Sequence, residues 1–153
     1  MNKIKNTLKN CIKNRRASFE YEFIEEYVAG IQLLGTEIKS IRQNKASISE
    51  SFCLMKNGEL YAINIYISEY RMEANFNHIP NRSRKLLLNK KELIKISKKS
   101  EKSGLTIIPN KLFINQKGYA KLQIFLAKGR KIFDKREVIK KRENKRDRSR
   151  FCH

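Results

Sequence analysis

The fold turns on residues 106–127, TIIPNKLFINQKGYAKLQIFLA. From Ala120 onward, Leu122, Ile124 and Leu126 alternate with Lys121 and Gln123, the period of two that puts one strand face in a core and the other outside. Residues 106–114 supply a second strand, and Gln116-Lys117-Gly118 turns the chain between the two. The pattern recurs upstream. Residues 51–55 and 60–67 read as strands around Asn57-Gly58, a strong hairpin turn, with Tyr61, Ile63, Ile65 and Ile67 on one side. Phe19-Glu20-Tyr21-Glu22-Phe23 opens a further strand that resumes at Tyr27 and runs to Leu34, where Gly35 breaks it.

Two helical stretches interrupt the strands. Thr36 is placed to cap a short helix with Ile38 and Ile41 inward and Lys39 and Arg42 outward. Residues 83–103 read as a longer helix, with Leu86, Leu93 and Ile96 on one face and Gly104 as its stop. Residues 68–83 contain Pro80 and no periodicity, so they are a loop. Short antiparallel strands, glycine turns and intervening helices predict a mainly β (α+β) fold: an OB-fold-like antiparallel β-barrel with flanking helices. A flexible basic lead (1–13) precedes the barrel (14–127), and a basic tail (128–153) follows it.

The 153 residues give room for one core-forming domain. Thirty-five Lys and Arg against 15 Asp and Glu leave a formal charge of +20, which points to a polyanionic partner. Heavy use of Lys, Asn and Ile, as in proteins encoded by AT-rich DNA, accounts for part of the lysine excess but not for its placement. Residues 128–153 hold twelve basic and four acidic residues and no continuous apolar stripe, so this tail is disordered alone and helical against a polyanion. Cys11, Cys53 and Cys152 lie far apart with no C-x-x-C pair, which argues against a zinc knuckle or redox dithiol and for a reducing compartment. No secretory signal and no stretch of membrane-spanning length is legible, so a cytoplasmic protein with no membrane contact is expected.

Enzymatic readings are thin. His78 lies in a loop beside Pro80, and His153 ends the chain. Glu20 and Glu22 share a strand face that could hold a metal, but a solvated face explains them more simply, and Gly129-Arg130-Lys131 lacks the spacing of a phosphate loop. No catalytic residue, metal, cofactor or small-molecule substrate is expected. The basic patches say more. Arg82, Arg84 and Lys85 open the longer helix, where its amides could join them on a phosphate, and Lys39, Arg42 and Lys45 form a second cluster.

Longer strings then become recognisable. Asn14-Arg15-Arg16-Ala17, Phe23-Ile24-Glu25-Glu26, Ala29-Gly30, Gly35-Thr36-Glu37-Ile38-Lys39-Ser40-Ile41-Arg42 and Lys45-Ala46 occur in order. Phe76-Asn77-His78, Arg82-Ser83-Arg84-Lys85-Leu86-Leu87-Leu88-Asn89, Gly104-Leu105-Thr106, Ala127-Lys128-Gly129-Arg130-Lys131, Asp134-Lys135-Arg136 and Ile139-Lys140 come next. From about residue 14 to 143 the chain resembles small protein B, the bacterial SsrA-binding (tmRNA-binding) family of trans-translation. The resemblance implies an OB-type barrel that binds the tRNA-like domain of tmRNA and delivers it to stalled ribosomes. It implies a tail that probes the empty mRNA channel at the decoding centre. On it, Asn14, Arg15, Glu37, Lys39, Arg42, Lys45, His78, Arg82, Arg84, Lys85, Leu87 and Asn89 fall on the tmRNA side. Lys128, Gly129, Arg130, Lys131, Phe133, Asp134, Lys135, Arg136, Ile139 and Lys140 fall on the ribosome side. Val28 replaces a Glu that many members carry and that is linked to tmRNA binding; Phe133 stands where some have His, keeping a ring to stack but losing a titratable group.

Two rivals share the composition: a generic rRNA-binding ribosomal or assembly protein, and an RNA-processing enzyme using Glu20, Glu22 and a metal. Asn89, taken as an RNA contact within the 83–103 helix, is expected to change to Ala with little loss of melting stability. If Lys and Arg meet phosphates, RNA affinity measured against salt falls with a log–log slope of about −0.7 to −0.9 per neutralised phosphate. A nearly flat response contradicts the charge argument.

Overall fold

The structure is a computed structural model and describes residues 11–71, 76–101 and 104–130. In chain order its elements are β1 (Ile12–Lys13), α1 (Ala17–Glu20), β2 (Tyr21–Ile31), α2 (Gly35–Arg42), β3 (Ala46–Ser47), β4 (Phe52–Lys56), β5 (Glu59–Ile63) and β6 (Tyr66–Ile67). After the loop come β7 (Arg84–Leu87), α3 (Lys90–Ser100), β8 (Leu105–Ile114) and β9 (Ala120–Gly129). The β8–β9 hairpin is the expected one. Asn115 supports its turn, accepting the Lys117 and Tyr119 N–H groups at 3.1 and 2.9 Å.

All pairings are antiparallel. The sheet runs β8-β4-β5-β7-β2-β9 and returns to β8, with β1 added outside it and β3–β6 forming a separate ribbon. The ring closes unevenly. β9 is paired along its length to β2 on one side and β8 on the other, whereas β4 meets β8 only at Cys53↔Ile107 and β7 meets β2 only at Gly30↔Leu87 and Ile31↔Leu86. The result is a partly open barrel. Its inside is apolar: Ala29, Leu60, Ala62, Leu86, Leu112, Leu122, Ile124 and Leu126 are buried, and Ile41 of α2 and Ile96 of α3 plug it. Each buried Leu or Ile among them contributes about 1.5–3 kcal/mol by leaving water.

Four sequence expectations need correction. Phe19 and Glu20 lie in α1, not in a strand, because the Asn14 side chain accepts the Ala17 N–H at 3.2 Å and starts a helical turn. The strand expected over 60–67 breaks at Asn64, whose φ of 65° belongs to the left-handed region. That break shifts the phase: Leu60 and Ala62 point inward before it, Ile65 and Ile67 after it, and Tyr61 and Ile63 are only partly covered. Residues 83–103 are not one helix. Arg84–Leu87 is strand β7, held between β5 and β2, and α3 starts only after Asn89. Finally, Thr36 does not cap α2. Leu34 precedes the helix, the Glu37 carboxylate takes the Leu34 N–H at 2.9 Å, and the Thr36 hydroxyl bonds His78 instead.

The paired sheet also exceeds the expected barrel at both ends. Ile12 and Lys13 pair with Leu112 and Lys111, and β9 continues past Ala127 until Gly129 faces Tyr21. Arg130 then donates its N–H to the Glu20 carbonyl at 2.9 Å and its Nε to the Tyr21 carbonyl at 3.2 Å. Residues 1–10 and 131–153, and so the remainder of the lead and tail, lie outside the described residues.

One polar cluster sits inside. Arg84 is fully buried; its Nε bonds the Glu37 carboxylate, Nη1 donates to the Ile65 carbonyl at 2.7 Å, and Nη2 donates to the Pro80 carbonyl at 3.1 Å. Arg82, at the rim, reaches the other Glu37 oxygen at 2.7 Å. Burial alone pushes the Glu37 carboxyl up, but the Leu34 N–H and the two guanidiniums outweigh it and hold its pKa below the ordinary value. Removing one member strands a buried charge, so Glu37→Ala is expected to lose about 3–5 kcal/mol in denaturant unfolding, and Glu37→Met with Arg84→Met together much less. Because the folded carboxyl titrates below the unfolded one, its contribution is complete above about pH 4.3 and is lost as pH falls through the lower folded value. Glu37→Gln should flatten that part of the stability–pH curve.

Candidate RNA interface

Strand alternation assigns the site's residues to an inside and an outside. In β7, Arg84 and Leu86 point in, and Lys85 and Leu87 point out. Leu87 is 53% exposed. It lies across from Gly30 of β2, which in turn lies across from Lys121 of β9, so one outer row reads Leu87, Gly30, Lys121. Val28 and Gln123 form the next row on the same face, with Val28 50% exposed. Gly30 is there for room: a Cβ would sit 3.3 Å from the Leu87 Cβ. The Leu87 side chain leans over the bare glycine, its Cδ1 3.6 Å from that Cβ position.

Asn89 flanks this face in a structural role. Its Oδ1 accepts the Glu92 N–H at 2.9 Å, and its Nδ2 donates to Glu92 Oε1 at 3.0 Å, so it is the N-cap of α3. The signal is legible: Asn with Glu three residues later, before Leu93 and Ile96, marks a helix start. The far end of α3 is tied to β2 by Lys99 on the Glu25 carboxylate, to which the Tyr27 hydroxyl also donates. Lys99, then Tyr27, hold the Glu25 pKa down, while burial and then Glu25 push the Tyr27 hydroxyl up to about 12.

The other expected RNA contacts divide sharply. Glu37 and Arg84 are interior, so neither reaches a phosphate, and Arg82, Arg84 and Lys85 do not open a helix. Asn14 is buried, donating Nδ2 to the Pro109 carbonyl at 3.0 Å. His78 is buried as well, with Nε2 2.9 Å from the Ile67 carbonyl and Nδ1 2.9 Å from the Thr36 hydroxyl. A carbonyl only accepts, so Nε2 carries the proton and Nδ1 accepts from Thr36. These residues build the surface from beneath. Arg15, Lys39, Arg42 and Lys45 are exposed, with Lys39 also 5.3 Å from the Tyr70 ring centre. Lys85 pairs with Glu59 at 2.8 Å, which lowers the Glu59 pKa and raises that of Lys85.

On the expected ribosome side, Lys128 and Gly129 end β9, exposed, and Arg130 is anchored by its bonds to the Glu20 and Tyr21 carbonyls. Lys131, Phe133, Asp134, Lys135, Arg136, Ile139 and Lys140 lie outside the described residues. Glu20 and Glu22 fall on α1 and β2, and no group of three His, Cys, Asp or Glu suited to a metal occurs among the described residues. Among the described residues no helix is long and apolar enough to cross a membrane.

The cap changes what Asn89 substitutions should do. Asn89→Ala is expected to lose about 0.5–2 kcal/mol in thermal or denaturant unfolding, unlike the near-neutral change expected from sequence. Asn89→Ser keeps an accepting oxygen and should restore most of that stability while still lacking the amide. If RNA affinity tracks stability across Asn89, Asn89→Ser and Asn89→Ala, the residue acts only as a cap.

Comparison with known proteins places this geometry. The family model described as SmpB protein matches residues 11–153. An SsrA-binding protein of Christiangramia forsetii is 59% identical over 135 residues, covering 88% of this chain and 86% of the relative. One from Cytophaga hutchinsonii is 55% identical over 148 residues, covering 96% and 97%. A chain in a solved structure described as "tmRNA-SmpB: a journey to the center of the bacterial ribosome" superposes with a TM-score of 0.70 at 44% identity, covering 85% of this chain and 94% of that one. With the family match running from the first described strand to the end of the sequence, the chain belongs to the SmpB protein family.

Proposed function

We propose that this protein binds the tRNA-like domain of tmRNA through the outer face around Leu87, Gly30 and Asn89, and carries it to stalled ribosomes for trans-translation. The observation that carries the reading is that face itself. It exposes Leu87 over Gly30, with Lys121 on the far side of the glycine and the capped start of α3 at its margin. RNA recognition through shape and unpaired nucleotides uses such surfaces: an apolar seat for a base or sugar, cations for phosphate, and a rigid frame. High identity to SsrA-binding proteins over most of the chain supports the same partner, and likeness to a tmRNA-bound SmpB supports the ribosome as the second. The protein acts in the cytoplasm as a binding factor and has no catalytic residue of its own.

The tail works separately. Among the described residues Arg130 is the last, and it is held by two hydrogen bonds to the Glu20 and Tyr21 carbonyls where α1 passes into β2. Beyond it the chain carries the cations Lys131, Lys135, Arg136 and Lys140, with Phe133 and Ile139 between them. This segment enters the empty mRNA channel at the decoding centre and replaces the codon signal that a normal tRNA reads. Ending the chain after Arg130 leaves the barrel's bonds intact, so tmRNA affinity should stay within a few-fold in a gel-shift assay while tagging on stalled ribosomes collapses. Phe133→Ala should give a partial defect, because stacking on one base is worth about 1–3 kcal/mol; Phe133→His keeps the ring and should be milder. Normal tagging by the shortened chain refutes the channel role, and loss of tmRNA binding by it refutes the division between barrel and tail.

A further inference from the structure

Beyond the outer row, in the turn that leads into β9, Tyr119 stands two residues before Lys121 and is 65% exposed. An aromatic ring left in water at a hairpin end contributes little to a core, and the turn around it is built to hold it. Asn115 accepts the Lys117 and Tyr119 N–H groups with its side chain, donates its own N–H to the Tyr119 carbonyl at 2.9 Å, and accepts the Gly118 N–H on its carbonyl at 3.0 Å. Gly118 takes the positive φ of 85° that this turn requires.

The corner is also cationic. Arg42, in the last turn of α2, brings its guanidinium against the turn, with Nη2 3.8 Å from where a Cβ on Gly118 would lie. Lys117 and Lys121 flank the ring in sequence, and residues 115–121 contain no acid. An exposed ring on a hydrogen-bonded turn, next in sequence to the glycine that a guanidinium approaches and flanked by lysines, suits stacking of an unpaired nucleobase while its phosphates meet the cations. The turn adjoins the outer row: Leu87 to Lys121 spans two strand spacings, about 10 Å, and Tyr119 follows at the hairpin end two residues from Lys121.

We propose that Tyr119 is a stacking platform for an unpaired base of the bound RNA, with Arg42 gripping the adjoining phosphate. The proposal rests on the RNA-binding reading above and extends its surface from β7 and β2 to the β8–β9 turn. The chain has no Trp, so Tyr119→Trp introduces a single indole reporter. Its fluorescence should be quenched on titration with a transcript of the tmRNA tRNA-like domain and not with polyphosphate, which offers charge without bases. Tyr119→Ala should weaken binding of that transcript by about 5- to 150-fold, the range that alanine substitution of a stacking aromatic gives. Tyr119→Phe should stay within about twofold, since the ring does the stacking. Both variants should melt like the parent, because the ring is outside the core. Arg42→Gln should lower the salt slope by about one phosphate's share. Native affinity for Tyr119→Ala, or equal quenching by polyphosphate, overturns the platform while leaving RNA binding standing. Loss of ribosome binding with unchanged transcript affinity also overturns it and makes Tyr119 a ribosome contact. Absence of transcript binding by the parent protein overturns both readings together.

Discussion

The buried ion pair between Glu37 and Arg84 is the constraint on which the surface depends. Arg84 is the first residue of β7, and its guanidinium spans three separate parts of the chain: Glu37 on α2, the Ile65 carbonyl before β6, and the Pro80 carbonyl in the loop. No other orientation of a short strand satisfies so many donors away from water, and an unsatisfied guanidinium there is too costly to tolerate. With Arg84 fixed inward, alternation dictates the rest: Leu86 must enter the core and Leu87 must leave it. A slip of one residue would bury Lys85 and Leu87 and expose Arg84 and Leu86. The exposed leucine is therefore a consequence of the ion pair beneath it.

Other interior polar groups serve the same end from different sides. His78 joins α2, through Thr36, to the Ile67 carbonyl of β6, so the loop before β7 is clamped where it meets the helix. Asn14 ties the entry of α1 to Pro109 of β8. Lys99 and Glu25 hold the far end of α3 on β2 while Asn89 fixes its near end. Each joins elements distant in sequence, and together with the apolar core they set the outer rows. A glycine completes the design. Strand β7 lies close over Gly30, and a side chain at that position would press on Leu87.

How much of this the sequence discloses depends on which forces leave a periodic trace. The β8–β9 hairpin is legible because both strands alternate and the turn carries glycine. β7 is hidden because Arg82, Arg84, Lys85 and the leucines after them have helix-favouring side chains, and their strand state comes from partners far away in the sequence. The phase change at Asn64 is hidden for a related reason: an apolar run of alternating isoleucines looks continuous unless the left-handed residue inside it is recognised. Asn89 and Glu92 at the start of α3 do carry a capping signal, but a helix drawn from residue 83 runs straight through it. Family strings do not separate exposed residues such as Leu87 from those, such as Arg84, that hold the fold from inside.

Charge is the least selective guide at the level of single residues. A net +20 argues soundly for a polyanion, yet both arginines of Arg82-Ser83-Arg84-Lys85 serve Glu37, one of them entirely inside. Lys85 answers Glu59, and Lys99 answers Glu25. What distinguishes a cation available to phosphate is the strand face or helix turn that carries it outward without an acid across from it. Arg42 at the end of α2 and Lys121 on the outer row meet that test; Arg84 cannot, despite lying in a basic string. The steep field of the whole chain draws RNA toward the protein. Register, fixed from within by a buried carboxylate, decides which few side chains meet it.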